Sequence, residues 1–412
     1  MRIIAWTDRP ALERLTTRHG AGQAAVRRDA ARIVRDVARR GDAAVRDWTR
    51  RLDNRLANGR FALTRRELER GWSATPRSVR HAIRTALRHL EQVAERQRPR
   101  AFSVMVAPGV LIEQQVAPFG TVGCYVPGGR HPLISTLLMT ATPARVAGVR
   151  DITVACPNPS PAIRCAALEA GVTRLLHIGG AQAIGALAYG TASIRRVDKI
   201  VGPGNAWVAA AKALVSSVAS IDLHAGPSEI VIVSDEGRPD WIAADLIAQA
   251  EHDPAARAVF VTTRGPLGAD VAREVARQLP SFGPARRALG RHGAIVVAKN
   301  RREAFDLVNR LAPEHVVCDG PEDARRVRTA GTVFVGPWSA QASGDYATGS
   351  NHVLPTGGAA RVRGGLSTAD FVRVFTVQTL TRRGLRTIAP TAIALAEAEG
   401  LVAHARSIRI RL

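Results

Sequence analysis

A short apolar run, a glycine turn and an apolar stretch of helix length recur along the middle of this chain, and no other feature restricts its fold as much. Gly120-Thr-Val-Gly-Cys-Tyr125-Val-Pro-Gly-Gly129 leads into Leu133 to Val146, Asp151-Ile-Thr-Val-Ala-Cys156-Pro into Ile163 to Gly171, and Leu175-Leu-His-Ile-Gly-Gly180 into Ala181-Gln182-Ala-Ile. Val197-Asp-Lys-Ile-Val-Gly202-Pro-Gly204-Asn205 adds another strand and turn. Ile230 to Val233, Val259 to Thr262, Ala294 to Val297 and Thr332 to Val335 continue the alternation. Such a pattern buries its apolar runs when the strands lie parallel with helices on both faces, and ligands then sit at the carboxyl ends of the strands. None of the turns spells G-x-G-x-x-G, so the dinucleotide fingerprint is missing. Their backbone N–H groups could still receive a phosphate, although ordinary tight turns need no ligand.

At 412 residues the chain is long enough for more than one core. The reading is α/β: two Rossmann-like parallel-sheet domains plus small N-terminal and C-terminal helical extensions. Residues 1–22 form the N-terminal extension, 23–120 and 229–370 a discontinuous first domain, 121–228 a second, and 371–412 a C-terminal segment. Val26, Ala30, Ile33, Val34 and Val37 share one face of a helix that Gly41 stops. Thr75-Pro76 opens another helix, which carries Val79, Ile83, Leu87, Leu90 and Val93. Near the end, Ile388 to Gly400 reads as a helix and Ile408-Arg-Ile410 as a strand.

The formal net charge of +23 raises the question of nucleic acid. Only Lys199, Lys212 and Lys299 are lysines, which points to arginine-rich codon usage, and aromatic residues make up 4%, too few for base stacking. Nucleic-acid binding is therefore the weaker reading. No long apolar run suggests a membrane span or a signal peptide, so the expectation is a soluble cytoplasmic protein. Cys124, Cys156, Cys165 and Cys318 form no CxxC pair, which fits a reducing compartment and leaves His, carboxylate and amide groups as the candidate metal ligands.

Several polar clusters go beyond what a core requires. Gln249 and His252, three apart at a helix end, share a face and could bind one metal, though most such pairs are merely solvated. Glu314-His315 offers a carboxylate beside an imidazole, the pairing general acid–base chemistry uses, but it also suits a plain loop. Ser228 and Glu229 precede a strand, and Ser343-Gly-Asp345 to His352-Val-Leu-Pro355-Thr is a long polar loop. His81 and His89 have no metal-type neighbour in sequence and read as surface residues.

Taken in order, Gly179-Gly-Ala-Gln182-Ala183, Val197 to Asn205, Ile221-Asp-x-x-Ala-Gly-Pro-Ser-Glu229, Gln249-Ala-Glu-His252, Ala312-Pro-Glu-His315 and His352-Val-Leu-Pro-Thr356 resemble the histidinol dehydrogenase family. The likeness runs from Val37-Ala-Arg-Arg-Gly-Asp42 to Ala396-Glu-Ala-Glu-Gly-Leu-Val-Ala-His404. It implies a zinc-dependent, NAD-linked oxidation of a primary alcohol through the aldehyde to the carboxylate, in L-histidine biosynthesis. By the matching motifs, Gln249, His252, Asp345 and His404 are the zinc ligands and also touch substrate. His315, also at the substrate, is the base, and Glu314 activates water. Ser228, His352 and Glu399 contact substrate, and Tyr125, Gln182 and Asn205 line the NAD site in the second domain. The resemblance further implies a homodimer in which the C-terminal segment crosses over, so that Glu399 and His404 complete the partner's site.

The chain departs from the family pattern in three places. Val93-Ala-Glu-Arg-Gln97 lacks an expected histidine, Arg130-His131-Pro-Leu-Ile-Ser135 replaces a Lys-x-x-Tyr-Pro-Ser type of sequence, and His224 replaces a common proline. These lie beside the cofactor and substrate motifs. They leave open a relative acting on another small polar alcohol, such as a sulfonated propanediol, with Arg130 or His131 meeting the anion.

Overall fold

The structure, a computed structural model, describes residues 1–17, 23–53, 59–128, 133–223 and 226–412. Its strands in chain order are β1 (Arg2–Ala5), β2 (Phe102–Ala107), β3 (Val110–Pro118), β4 (Thr121–Tyr125), β5 (Asp151–Ala155), β6 (Arg174–Leu176), β7 (Lys199–Val201), β8 (Ser220–Ile221), β9 (Glu229–Val233), β10 (Arg257–Thr262), β11 (Ala294–Val297), β12 (His315–Cys318), β13 (Thr332–Val335) and β14 (Val372–Leu380). Two sheets are wholly parallel, in the orders β6-β5-β4-β7-β8 and β1-β11-β10-β9-β12-β13. Leaving out β1, both follow one doubly wound plan, in which the first strand of each unit lies at the centre and the order reverses beside it. The reversal falls between β4 and β7 in one sheet and between β9 and β12 in the other. As expected, the central strands are buried on both faces: every residue of β4 and β9 is shielded from solvent.

Around these sheets the domain plan differs from the sequence expectation. Residues 2–5 are no extension: they pair in parallel with β11 as the edge of the second sheet. The helix Gln23–Arg40 packs on the helices Gly180–Tyr189 and Ala206–Val215, so the helices of residues 23–53 and 65–96 clothe the β4 sheet rather than the β9 sheet. The cause is apolar matching. Val34 and Val37 enter one core with Ile184, Leu187 and Val208, and fully burying a valine side chain contributes ~1.5–3 kcal/mol. Likewise Ile83, Leu87 and Leu90 join the core of Leu137, Leu138 and Val154.

A third sheet, antiparallel with order β14-β3-β2, was not anticipated. Pro108-Gly109 makes the hairpin turn between β2 and β3, with Gly109 at φ +82°. The C-terminal segment is thus part strand, since β14 precedes the helices Arg382–Ala398 and Val402–Arg409. Ile408 belongs to that last helix and is not in a strand. Consecutive apolar residues Val104, Met105 and Val106 are exposed, so both faces of the antiparallel sheet meet solvent. Val374, Phe375, Leu401, Val402 and Ile410, on β14 and the terminal helices, are exposed as well. The helix opened by Thr75-Pro76 runs Arg77–Arg96 with Pro76 at its cap, one residue later than expected. Among the described residues no helix is long and apolar enough to cross a membrane.

Candidate active site

Strand ends of opposite polarity meet in one place: the amino ends of β9 and β12 face the region beyond the carboxyl end of β4. One contact links the two sides, and a second ties the chain ahead of β9 to the polar loop. Thr136, on the helix that follows β4, lies with its hydroxyl 3.1 Å from Nε2 of His352, and the Gly226 N–H donates to the Thr356 hydroxyl at 2.5 Å.

Glu314 and His315 owe their placement to the end of one helix. Arg301–Leu311 closes at Ala312, which adopts left-handed φ and ψ of 46° and 61°, and Pro313 prevents continuation. The chain then enters β12 beside β9, and both side chains are buried. His315 Nδ1 donates to the Glu229 carbonyl at 3.2 Å, which leaves the Nε2 lone pair facing the Gln341 amide nitrogen at 3.4 Å. Burial pushes the imidazole pKa down to about 4, so at neutral pH it is uncharged and able to accept a proton. Burial has the opposite effect on Glu314, whose carboxyl is driven well above the usual range although the Glu229 N–H donates to it at 2.9 Å. A carboxyl shifted upward in this way exchanges protons nearer neutrality.

Gln249 lies in the last turn of Pro239–Ala250 and is only 1% exposed. No donor among the described residues reaches its Oε1. Such an orphaned acceptor is costly unless something outside this chain's own donors satisfies it. His252 lies just past the helix, beyond the cap Glu251, so the expected shared helical face is only approximate. Asp345 accepts from the Gln341 amide at 3.0 Å, and its own carbonyl accepts from His352 Nδ1 at 3.1 Å. Asp345 and His252 lie close enough to His315 and His352 to influence both rings, and burial lowers the His352 pKa. An amide, an imidazole and a carboxylate are consistent with zinc. Among the described residues, however, no three His, Cys, Asp or Glu converge as a complete metal shell.

Two further residues expected at the site are at the far end of the chain. Glu399 caps Arg382–Ala398 and His404 lies on Val402–Arg409, both exposed and on the C-terminal segment. Ser228 immediately precedes β9, where its carbonyl accepts from the Arg257 N–H at 2.9 Å. Arg130, His131 and His224 lie outside the described residues.

Tyr125, Gln182 and Asn205 stand at the order reversal of the first sheet. Tyr125 ends β4 and its hydroxyl accepts from the Gly180 N–H at 3.1 Å; Gln182 lies in the first turn of Gly180–Tyr189; Asn205 caps Ala206–Val215 by accepting from the Val208 N–H at 3.1 Å. Gly202 is required here, because at φ +111° a Cβ would collide with the Tyr125 carbonyl.

Sequence reading missed the support behind this turn. Lys212 and Asp222 form a fully buried ion pair; the Lys212 ammonium donates to the Gly202 carbonyl at 2.9 Å and the Gly202 N–H donates to Asp222 at 2.7 Å. One of only three lysines, within an apolar helix, was the available signal. Lys212→Met leaves Asp222 buried without its counter-ion and is expected to lower stability by about 3–5 kcal/mol. A chemical denaturation midpoint unchanged from wild type would exclude that role. Also unforeseen were Gln341, which bridges His315 and Asp345, and His89, whose Nδ1 lies 2.7 Å from the Ala347 carbonyl and anchors the polar loop.

Comparison with known proteins supplies the context for this arrangement. The family model for histidinol dehydrogenase matches residues 16–412. The histidinol dehydrogenase of Methanothermobacter thermautotrophicus is 44% identical over 393 residues, covering 92% of each chain. That of Caulobacter vibrioides is 44% identical over 390 residues, covering 92% of this chain and 91% of the relative. The crystal structure of histidinol dehydrogenase from Elizabethkingia anophelis superposes with a TM-score of 0.95 at 30% identity, covering 100% of this chain and 98% of the other. A doubly wound pair of sheets, a buried Glu-His pair at their junction and similarity along nearly the whole length lead to one conclusion: the chain belongs to the histidinol dehydrogenase family.

Proposed function

We propose that the protein oxidises L-histidinol through L-histidinal to L-histidine with zinc and NAD, the closing chemistry of histidine biosynthesis. The observation that carries this reading is the neutral, buried His315 with its tautomer fixed by the Glu229 carbonyl, next to Glu314 and the orphaned Gln249 oxygen. His315 Nε2 takes the hydroxyl proton from the alcohol as its C–H bond gives up hydride. Glu314 takes a proton from the water that adds to the aldehyde, and His315 then deprotonates the hydrate in the second oxidation. Over both oxidations the substrate consumes one water and two NAD and yields a carboxylate, two NADH and three protons. Ser228, His352 and Glu399 hold the substrate's polar groups.

Gln249, His252, Asp345 and His404 of the partner subunit would hold the zinc, which when bound polarises the alcohol oxygen and fixes its orientation. Tyr125, Gln182 and Asn205 would line the site for NAD, the hydride acceptor. The homodimer is supported by the uncovered apolar residues of the antiparallel sheet and terminal helices, and by the exposure of Glu399 and His404. Four free cysteines support a cytoplasmic location. A sulfonated propanediol is the less favoured substrate, since full-length relatives carry the histidinol dehydrogenase name.

The test follows NADH absorbance with zinc-loaded protein, NAD and either L-histidinol or dihydroxypropanesulfonate. Turnover of histidinol is expected, with loss on chelation and return on adding zinc. Turnover of the sulfonate alone overturns the substrate assignment, and turnover of neither overturns the dehydrogenase reading.

A further inference from the structure

The β9 sheet repeats the doubly wound plan, yet the candidate active site uses its strands' amino ends. Its own order reversal, at the carboxyl ends of β9 and β12, opens a separate cleft of about 310 Å³ at the opposite end of the strands. A reversal of this kind is where doubly wound sheets receive ligands. Trp241 and Trp338 stand over the cleft with ring centroids 5.4 Å apart, tilted by 54°. Trp338 is 86% exposed, an uncovered indole whose apolar face gains by being occupied.

The charges of the lining point to one kind of ligand. Asp245, Glu236 and Asp319 bring three carboxylates against a single cation, Arg238. That cation is already engaged: its guanidinium donates to Asp240 at 3.1 and 2.7 Å and lies 4.8 Å from the Trp241 ring centre. Asp319 accepts from the Asp235 N–H at 2.9 Å and faces Arg301 at 3.4 Å. Among the described residues nothing donates a hydrogen bond to Asp245, and burial raises its pKa to about 6. On a chain of net charge +23, a cleft whose one cation is engaged and whose half-buried carboxylate has no partner is selective for positive charge. We propose that this cleft binds a small organic cation, an ammonium carrying an apolar or aromatic body, with the charge on Asp245 and the body against Trp241 and Trp338.

The probe is benzyltrimethylammonium, which has no lone pair and therefore cannot ligate a metal at Gln249, farther along the same helix. Calorimetric titration of the zinc-loaded full chain is expected to give one saturable site per chain, with affinity at least tenfold lower in Asp245→Asn and in Trp338→Ala. Benzyl alcohol, which keeps the ring and lacks the charge, should bind at least tenfold more weakly. Trp338→Ala removes an exposed ring and so keeps the fold. Absence of a saturable site, or equal affinity in the wild type and both variants, overturns the proposal. So does a Trp338→Ala protein that sediments at half the wild-type mass while the wild type binds no probe, because a second copy then covers the cleft. None of these readings depends on turnover, so they stand or fall apart from the dehydrogenase assignment.

Discussion

His315→Ala is expected to lower kcat by roughly two to four orders of magnitude while leaving the zinc content of the purified protein unchanged. The loss corresponds to about 3–5 kcal/mol of barrier. Two features of the residue lead to this size of effect. Its Nδ1 proton is committed to the Glu229 carbonyl, so the basic nitrogen is Nε2, facing the Gln341 amide, and burial keeps the ring uncharged at neutral pH. Alanine removes the proton acceptor but none of Gln249, His252 and Asp345, and metal analysis separates the two roles. A kcat within a factor of two of wild type would mean that another group takes the hydroxyl proton. Loss of zinc along with activity would place His315 in the metal shell instead.

Hybrid dimers should restore activity that neither parent possesses. His252→Ala removes a proposed ligand at the cavity, and His404→Ala removes the one expected from across the dimer; each homodimer should lose most of its zinc and turnover. Refolding the two together in equal amounts makes about half the dimers mixed, and in each mixed dimer one site carries both substitutions while the other carries neither. The mixture should therefore recover about a quarter of wild-type activity. No recovery, with mixed dimers shown by native mass spectrometry, would mean that His404 serves its own chain. The exposed position of His404, on a terminal helix that packs on Arg382–Ala398, is the structural reason to expect complementation.

Local pattern revealed much of this molecule, and what it missed depends on the surroundings of each segment. The parallel strands were legible because both of their faces are buried, which leaves continuous apolar runs between glycine turns. The segment 102–118 was not, because β2 is exposed on both faces and β3 half-buried on both, so neither shows a clean alternation. Partnership between distant segments was equally hidden. Nothing in Arg2–Ala5 announces β11 as its neighbour, and the helix Gln23–Arg40 shows an apolar face but not which sheet it covers. At the site, Glu314, His315 and Asp345 stood out as polar residues beside buried strands. The burial that displaces the His315 and Glu314 pKa values, and the isolation of the Gln249 oxygen, come from tertiary packing and could not be read from neighbours in sequence.

The opposite polarity of the two sheets at their junction also gives the cavity an electric character of its own. From the β9 sheet, Pro239–Ala250 and Arg301–Leu311 arrive by their carboxyl termini, just before Glu251 and Ala312. From the β4 sheet, Gly180–Tyr189 and Ala206–Val215 start there by their amino termini. A helix carries about half a positive charge at its amino end and half a negative charge at its carboxyl end. One wall of the cavity is therefore poised for a dication and the other for a phosphate anion, before any ionised side chain is counted. Two units of the same winding, set end to end in opposite senses, generate that asymmetry from backbone alone.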